Sequence, residues 1–173
     1  MNEETPKVVR RPMKCAIFTA SDTRTSEDDT SGDLLHATLS AAGHEITDRK
    51  IIREDLEQLS VSLKGAVESD DIEVVLITGG TGITIRDLTP EAIALHSTKE
   101  IPGFGELFRW LSYDQIGSST IQSRACAHLC GKTLVFGLPG SPRAVSLALE
   151  KILLPQLDID HKPCNFPQLL PRI

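Results

Sequence analysis

Short apolar runs alternate along the chain with stretches in which apolar residues recur every three or four positions. The first pattern is typical of buried strands and the second of amphipathic helices. It predicts strands at residues 14–20, 44–52 and 72–78 and helices at residues 32–42, 55–69 and 103–111. A further helix is predicted to begin at Thr89, with Thr89 as its N-cap and Pro90 in its first turn.

The last third of the chain predicts a hairpin and a long helix. Residues 121–129 and 133–136 flank a Cys-Gly-Lys turn, and residues 142–154 are helical in pattern until Pro155, which is predicted to end the helix. The order strand–helix repeated three times, then a hairpin, then a helix, favours an α/β fold. We expect a three-layer sandwich, with a mostly parallel sheet and helices on both faces.

Length and charge restrict the functional classes. The chain has 173 residues and a net charge of −6. We expect a flexible N-terminal arm at residues 1–12 and a single domain at residues 13–173. The charge argues against a nucleic-acid binder, which needs a strongly basic surface. No apolar run is long enough to cross a bilayer, and the start lacks the apolar stretch of a secretory signal, so we expect no membrane association and a cytoplasmic location.

Three loops follow predicted strands and carry candidate ligand-binding residues. The first begins with Ser21 and Asp22 and ends with Ser31 and Gly32, where Ser31 is a candidate cap for the next helix. In a parallel sheet, ligands bind beyond the carboxyl ends of the strands. This loop is interpreted either as part of such a site or as a capped surface loop.

The second loop is rich in glycine and consists of Thr78, Gly79, Gly80, Thr81 and Gly82. Glycines let the backbone approach a ligand closely and direct successive N–H groups at one anion. The sequence matches neither the Walker motif nor the dinucleotide-binding motif. It is therefore interpreted either as a phosphate-binding loop or as a tight structural turn.

Asp87 follows this loop, and the third loop consists of Pro139, Gly140 and Ser141. A carboxylate beside a phosphate site is explained by a bound Mg²⁺, and near a helix start it also stabilises the helix dipole. Ser141 is placed to cap a helix whose free N–H groups are able to bind an anion. A plain strand-to-helix turn is the alternative for this loop.

Four segments together resemble the MoaB/MogA family of molybdenum cofactor biosynthesis. The segment ITGGTGITIRDLTPEAI is similar to the molybdopterin-binding signature of that family, and DTSGDLL, PGFGELFR and LPGSPRAV match in order. The ending PQLDIDHKPCNFPQL resembles the MoaB branch in particular. The resemblance covers nearly the whole chain from Lys14.

The resemblance implies a fold, a reaction and an assembly. Members of the family form trimers, sometimes hexamers, and the active ones adenylylate molybdopterin with ATP and Mg²⁺. Asp87 matches the metal-binding aspartate of the family, and Gly79 to Gly82 match its phosphate-proximal loop. Ser21, Asp22 and Pro139 to Ser141 match other walls of the pocket. The alternative is a MoaB-branch protein that binds or carries molybdopterin without turnover.

One position departs from the family pattern. Active members have a second functional aspartate after strand two, and the aligned residue here is Glu54, with Asp55 beside it. Because positioning in catalysis is sensitive to displacements of about 1 Å, the longer side chain bears directly on activity. Glu54 or Asp55 is the candidate partner of Asp87 in catalysis, and Glu54 in Mg²⁺ binding.

An apolar stripe formed by Phe104, Leu107, Phe108, Trp110 and Leu111 lies within the predicted helix at residues 103–111. Such a stripe is interpreted as core or as a contact between subunits, in keeping with the homo-oligomer that the resemblance implies.

Overall fold

The computed structural model describes residues 9–173. Six strands and seven α-helices lie in this part of the chain. The strands are β1 (Lys14–Ala20), β2 (Glu45–Ile52), β3 (Val74–Thr78), β4 (Lys99–Glu100), β5 (Cys126–Cys130) and β6 (Thr133–Leu138). The helices are α1 (Thr30–Ala41), α2 (Leu56–Val67), α3 (Thr89–Ala94), α4 (Pro102–Ile116), α5 (Pro142–Ala148), α6 (Leu154–Leu157) and α7 (Phe166–Leu169).

The strands form one sheet in the order β2-β1-β3-β6-β5-β4. Strands β2, β1, β3 and β6 are parallel, whereas β5 and β4 add to the sheet in antiparallel pairings. The prediction of a mostly parallel sheet is confirmed. All four parallel strands end at the same edge of the sheet, and their carboxyl ends point the same way.

Helices cover both faces of the sheet. In β3, Val74 and Leu76 pack into one apolar cluster with α1, α4 and α5, and Val75 and Ile77 pack into a second cluster with α2 and α3. This alternation follows from the period of two residues along a strand. The predicted three-layer sandwich is therefore confirmed, with strands that are apolar on both sides because both faces are covered.

Two predicted helix caps are wrong. The N-cap of α1 is Asp29, whose carboxylate accepts the N–H of Gly32, and the Ser31 hydroxyl instead donates to the Gly140 carbonyl at 2.8 Å. Thr89 lies inside α3 and its hydroxyl donates to the Gly79 carbonyl at 2.7 Å. In both cases a contact with a neighbouring loop recruits the hydroxyl, which the local sequence pattern does not reveal.

The hairpin was predicted to start too early. Residues Gly117–Gln122 form a 3₁₀ helix that folds back against α4, with the Thr120 hydroxyl donating to the Arg109 carbonyl at 3.0 Å, and β5 begins only at Cys126. The short strand β4 was not predicted, since a two-residue edge strand carries no periodicity.

Pro155 does not end the last long helix. Helix α5 passes through a π-helical turn at Leu149–Leu153 and continues as α6 to Leu157. A π turn shifts the backbone hydrogen bonds by one residue, and proline is tolerated in the first turn of the segment that follows. Burial of Leu153 and Leu157 in the core keeps this extension packed on the sheet.

The predicted N-terminal arm, residues 1–12, lies mostly outside the described residues. In its described part, the backbone N–H of Val9 donates to the Ala42 carbonyl at 2.9 Å, and Arg11 pairs with Glu73 at 2.6 Å. Among residues 9–173, none of the helices combines the length and the apolar character required to span a bilayer.

Candidate functional site

A pocket opens where the parallel strands end. The Ser21 N–H donates to the Ile52 carbonyl at 2.9 Å and the Gly79 N–H donates to the Leu138 carbonyl at 2.9 Å, so the loops after neighbouring strands are held edge to edge. The cavity that they enclose has a volume of about 410 Å³. Its size lies within the range of small-molecule sites.

Most of the predicted site residues line this cavity, including Glu54, Asp87 and the whole glycine-rich loop. The lining consists of Thr19, Ala20, Ser21, Arg24, Asp29, Ser31, Glu54, Thr78, Gly79, Gly80, Thr81, Gly82, Asp87, Gln122, Ser123, Pro139 and Gly140. The loops after β1, β2, β3 and β6, together with the segment before β5, thus contribute to one concave surface.

The glycine-rich loop needs its glycines for steric reasons. Gly79 and Gly80 have positive φ angles of 100° and 63°. A Cβ at Gly79 would lie 2.3 Å from the Ala20 carbonyl oxygen, and one at Gly80 would lie 2.7 Å from the Thr89 hydroxyl. The backbone after β3 therefore passes closer to its neighbours than a side chain allows, and it lines the cavity with peptide groups.

Two hydroxyl groups fix the start of this loop. The Thr78 hydroxyl donates to the Pro139 carbonyl at 2.9 Å, which joins the β3 and β6 loops. The Thr89 hydroxyl bond to Gly79 anchors the same loop to α3. The Ser31 hydroxyl bond to the Gly140 carbonyl joins the loop after β1 to the loop after β6, so the loops after β1, β3 and β6 are tied to one another.

Asp87 lies at the end of the glycine-rich loop and faces the cavity. Its carboxylate accepts the Thr84 N–H at 2.8 Å. Burial alone would raise the pKa of Asp87, but hydrogen bonds from Thr84 and the Gly82 N–H, together with the charge of Arg124, lower it below the ordinary value. The carboxylate is therefore ionised at neutral pH.

Glu54 also lines the cavity, in the loop between β2 and α2. Burial and, second, the negative charge of Asp87 raise the pKa of Glu54. The two carboxylates are thus near enough to repel each other across the pocket. Asp55 has a different place, since it is the N-cap of α2 and its carboxylate accepts the Gln58 N–H at 2.9 Å.

This pair of carboxylates fits a Mg²⁺ ion. Mg²⁺ is commonly bound by one or two carboxylates together with substrate phosphates and water. Within residues 9–173 there is no cluster of three or more acidic, histidine or cysteine side chains able to hold a metal. A metal at Glu54 and Asp87 would therefore depend on further oxygen ligands from a bound phosphate.

Asp22 connects three of the loops without lining the cavity. Its carboxylate pairs with Arg86, lies 3.9 Å from the Arg53 guanidinium and accepts the Glu54 N–H at 3.3 Å. Asp22 thereby ties the loop after β1 to those after β2 and β3. Its predicted role in ligand binding stays a prediction.

Two other predicted binding residues lie just outside the lining. Gly32 is in the first turn of α1, and a Cβ there would meet the Asp29 carboxylate oxygen at 2.0 Å. Ser141 is the N-cap of α5 and its hydroxyl accepts the Ala144 N–H at 3.3 Å. Both residues shape the turns that carry Ser31 and Gly140, which do line the cavity.

Six lining residues were not among the predicted site residues. They are Thr19, Ala20, Arg24, Asp29, Gln122 and Ser123. Asp29 is almost fully buried, accepts the Thr19 hydroxyl and pairs with Arg49 at 2.8 Å. Gln122 and Ser123 come from a segment that was predicted as strand, so no local pattern marked them as pocket residues.

Comparison with known proteins places this arrangement in a family. The family model described as "Probable molybdopterin binding domain" matches residues 16–159. The molybdenum cofactor biosynthesis protein B of Escherichia coli (strain K12) is 47% identical over 155 residues, which is 90% of this chain and 91% of the relative.

Solved structures agree. A crystal structure of a molybdenum cofactor biosynthesis protein B has 48% sequence identity and a TM-score of 0.82, covering 85% of this chain and 92% of that one. The tungsten cofactor synthesizing protein MoaB of Pyrococcus furiosus has 38% identity and a TM-score of 0.73, covering 82% of this chain and 91% of that one. The chain therefore belongs to the molybdopterin-binding domain family of the MoaB and MogA proteins.

Proposed function

We propose that this protein acts in molybdenum cofactor biosynthesis by binding molybdopterin and adenylylating it with Mg²⁺-ATP. The observation that carries the proposal is the placing of two carboxylates, Glu54 and Asp87, on a cavity that is lined by the glycine-rich loop after β3. Proteins similar to this one are named for molybdenum cofactor biosynthesis. The departure at Glu54 is the feature that the experiment has to address.

The proposed reaction is a nucleotidyl transfer. A terminal phosphate oxygen of molybdopterin attacks the α-phosphorus of ATP, a new P–O bond forms, and the bond to the β-phosphate breaks with its electron pair leaving on pyrophosphate. Such chemistry needs mainly positioning and neutralisation of charge. The peptide groups of residues 79–82 are placed to bind phosphate, and Arg24 is the cationic side chain in the lining.

Glu54 and Asp87 would hold the metal in this scheme. A bound Mg²⁺ supplies positive charge that reduces the repulsion between the phosphates. Ionised carboxylates alone would repel both substrates. The depressed pKa of Asp87 keeps it available as an oxygen ligand at neutral pH.

A carrier without turnover is the second candidate. Glu54 in place of the aspartate of active members favours it, because the longer side chain displaces the carboxylate. In that case the same cavity holds molybdopterin or its adenylylated form, and no pyrophosphate is released.

The deciding experiment is an adenylyl-transfer assay with purified protein, Mg²⁺-ATP and molybdopterin. Adenylyl-molybdopterin is quantified by chromatography for the wild type, for Asp87→Asn and for the control Asp71→Asn, whose exposed carboxylate pairs with Lys14. Product with the wild type and control, and at least about a hundredfold loss in Asp87→Asn, supports the enzyme. No product together with tight molybdopterin binding supports the carrier.

We also propose that the protein forms a homo-oligomer, a trimer or hexamer, through the outer face of α4. Trp110 is 72% exposed there, and Tyr113 and Ile116 of α4 are also exposed, as is Ile121 in the 3₁₀ helix that follows. A patch of this kind on a folded domain marks a contact surface. Light scattering should give a mass of three or six chains, and Trp110→Glu should lower it. A monomeric wild type would contradict this assembly.

A further inference from the structure

Arg124 contacts both ends of the loop that carries Asp87. Its backbone N–H donates to the Thr81 carbonyl at 2.8 Å, and its Nε donates to the Gly82 carbonyl at 2.6 Å. Its Nη2 donates to the Asp87 carbonyl at 2.7 Å. One guanidinium therefore joins the first and last residues of the segment 82–87, from a position directly before β5.

Glu91 holds this guanidinium in place. It lies in the first turn of α3 and its two carboxylate oxygens accept from Nη1 and Nη2 of Arg124, the latter at 3.2 Å. The arginine side chain is 34% exposed and that of Glu91 is 45% exposed. Because the pair is planar and bidentate, it fixes the direction in which the remaining donors point.

The loop has few other anchors of its own. The side chains of Ile83 and Ile85 at its tip are exposed, and the residue Ile85 is 93% exposed. Inside the loop, the Asp87 carboxylate accepts the Thr84 N–H, and a Cβ at Gly82 would lie 2.8 Å from an Asp87 carboxylate oxygen. The shape of segment 82–87 and the direction of the Asp87 carboxylate are thus determined together.

We propose that Arg124 is a positioning residue that keeps the Asp87 carboxylate directed into the pocket by joining the carbonyls of Gly82 and Asp87. This inference rests on the proposed function, since it assigns Asp87 to the metal. Arg124 itself does not touch the cavity. It acts through the backbone of the loop, and it couples the loop to Gln122 and Ser123, which are its neighbours in sequence and line the same cavity.

The chemistry of the side chain is specific to arginine. Three separate acceptors, two carbonyls and one carboxylate, lie around a planar group with donors in a fixed fork. Lysine has a single ammonium on a flexible stem and cannot reach all three acceptors at once. Lysine at this position keeps the positive charge but cannot join the Gly82 and Asp87 carbonyls. The variant Arg124→Lys therefore separates the effect of the charge from the effect of these hydrogen bonds.

The test compares Arg124→Lys with Glu91→Gln, which leaves the donors to the two carbonyls intact. The first readout is the Mg²⁺ concentration that gives half-maximal adenylyl transfer, and the second is amide hydrogen exchange of segment 82–87. For Arg124→Lys we expect about a tenfold or larger rise in the Mg²⁺ requirement, and faster exchange of the loop. At saturating Mg²⁺ the KM of Arg124→Lys for ATP should stay within about twofold of the wild-type value, because the substitution acts through the candidate metal ligand Asp87.

Glutamine at position 91 keeps one acceptor oxygen for the guanidinium, and the Arg124 bonds to the Gly82 and Asp87 carbonyls remain, so Glu91→Gln should change both readouts by less than about threefold. A purely structural role for Arg124 would lower the melting temperature without shifting the Mg²⁺ requirement. The proposal is overturned if Arg124→Lys is folded and shows the Mg²⁺ requirement and the loop exchange of the wild type.

Direct Mn²⁺ binding, followed by electron paramagnetic resonance, separates this inference from the proposed function. A wild type without transfer activity refutes the proposed adenylylation. Mn²⁺ binding that is about tenfold weaker in Arg124→Lys than in the wild type still supports the positioning role of Arg124. Equal Mn²⁺ affinity in the two proteins, or no Mn²⁺ binding to either, overturns the positioning role of Arg124 as well.

Discussion

Arg86 and Asp22 form an ion pair that links the loop after β3 to the loop after β1. Asp22 is the less exposed partner, with 22% of its side chain accessible against 64% for Arg86. The same carboxylate accepts the Glu54 N–H, so it joins both loops that carry the candidate metal ligands. Its negative charge also neutralises Arg86, the sequence neighbour of the lining residue Asp87, beside the pocket that we propose to bind phosphate.

From this geometry we predict that Asp22→Asn increases the affinity for ATP by about two- to fivefold at low salt. Asparagine retains an acceptor for the Glu54 N–H and releases the charge of Arg86. Isothermal titration at two salt concentrations measures the effect, which should shrink at high salt because exposed charges are screened. Asp71→Asn makes the same change in net charge at the exposed ion pair with Lys14. Equal gains in the two variants would contradict a local role for Asp22.

The second prediction concerns the backbone of the glycine-rich loop. Gly79 has a φ of 100° and a Cβ would lie 2.3 Å from the Ala20 carbonyl oxygen, so Gly79→Ala combines backbone strain with a clash. We expect it to lower the free energy of unfolding by about 2 kcal/mol or more. Chemical denaturation gives this value directly.

Gly65→Ala is the matched control for that change. Gly65 lies within α2 and a Cβ there would meet nothing within 4 Å. Because glycine is a poor helix former, alanine should raise the free energy of unfolding by about 0.5–1 kcal/mol. Destabilisation of similar size in both variants would show that the strain at Gly79 does not determine the outcome.

The fold was accessible from the sequence because its signals are local and repeated. Strand β3 is a continuous apolar run between polar segments, and helix α2 has buried residues at helical spacing, Leu59, Leu63 and Ala66. Such patterns depend on which faces are buried, and the sandwich buries both faces of the parallel strands. The extension of the helix beyond Pro155 was missed since a proline in the first turn of a following helical segment has the same local sequence as a proline that ends a helix.

The site was only partly accessible for a related reason. The glycine-rich loop and Asp87 carry a composition that predicts a phosphate site, and the cavity includes them. Arg124 has no such pattern around it, because its importance arises from contacts with residues 42 and 37 positions away along the chain. Long-range contacts of this kind are a property of the folded chain alone.

Acid sensitivity is predicted from His44. Its side chain is buried, Nδ1 accepts the Met13 N–H at 3.1 Å, and within residues 9–173 its Nε2 has no hydrogen-bond partner. Burial lowers its pKa below the ordinary 6.5, against an opposing effect of Asp158. Below about pH 6.5 the unfolded chain therefore binds a proton that the folded protein resists, and stability falls as the pH decreases.

The variant His44→Asn should reduce this slope. Asparagine offers an acceptor to the Met13 N–H and does not titrate, so the slope should decrease by at most about 1.4 kcal/mol per pH unit. Denaturation curves between pH 7.5 and pH 5 measure it. His128, whose pKa is also lowered by burial, is present in both proteins and cancels in the comparison. An unchanged slope would assign the acid sensitivity to other groups.

Metal binding should depend on pH through Glu54 before Asp87. Burial and the charge of Asp87 raise the pKa of Glu54 above 4.5, whereas the pKa of Asp87 lies below 3.8 despite its burial, because hydrogen bonds and Arg124 stabilise its charge. As the pH falls, Glu54 therefore takes up a proton first and ceases to be a ligand. We expect the affinity for Mn²⁺, as a substitute for Mg²⁺, to decline at acid pH as Glu54 becomes protonated, while Asp87 is still ionised.

Two variants isolate the contribution of Glu54. Glu54→Gln should bind Mn²⁺ at least about tenfold more weakly at pH 7 and lose most of the decline at acid pH, since the first group to take up a proton is removed. Glu54→Asp restores the side chain found in active members of the family and should keep the decline. If Glu54→Gln matched the wild type in both affinity and pH dependence, Glu54 would not be a ligand of the metal. The length of the Glu54 side chain would then be no argument for a carrier without turnover.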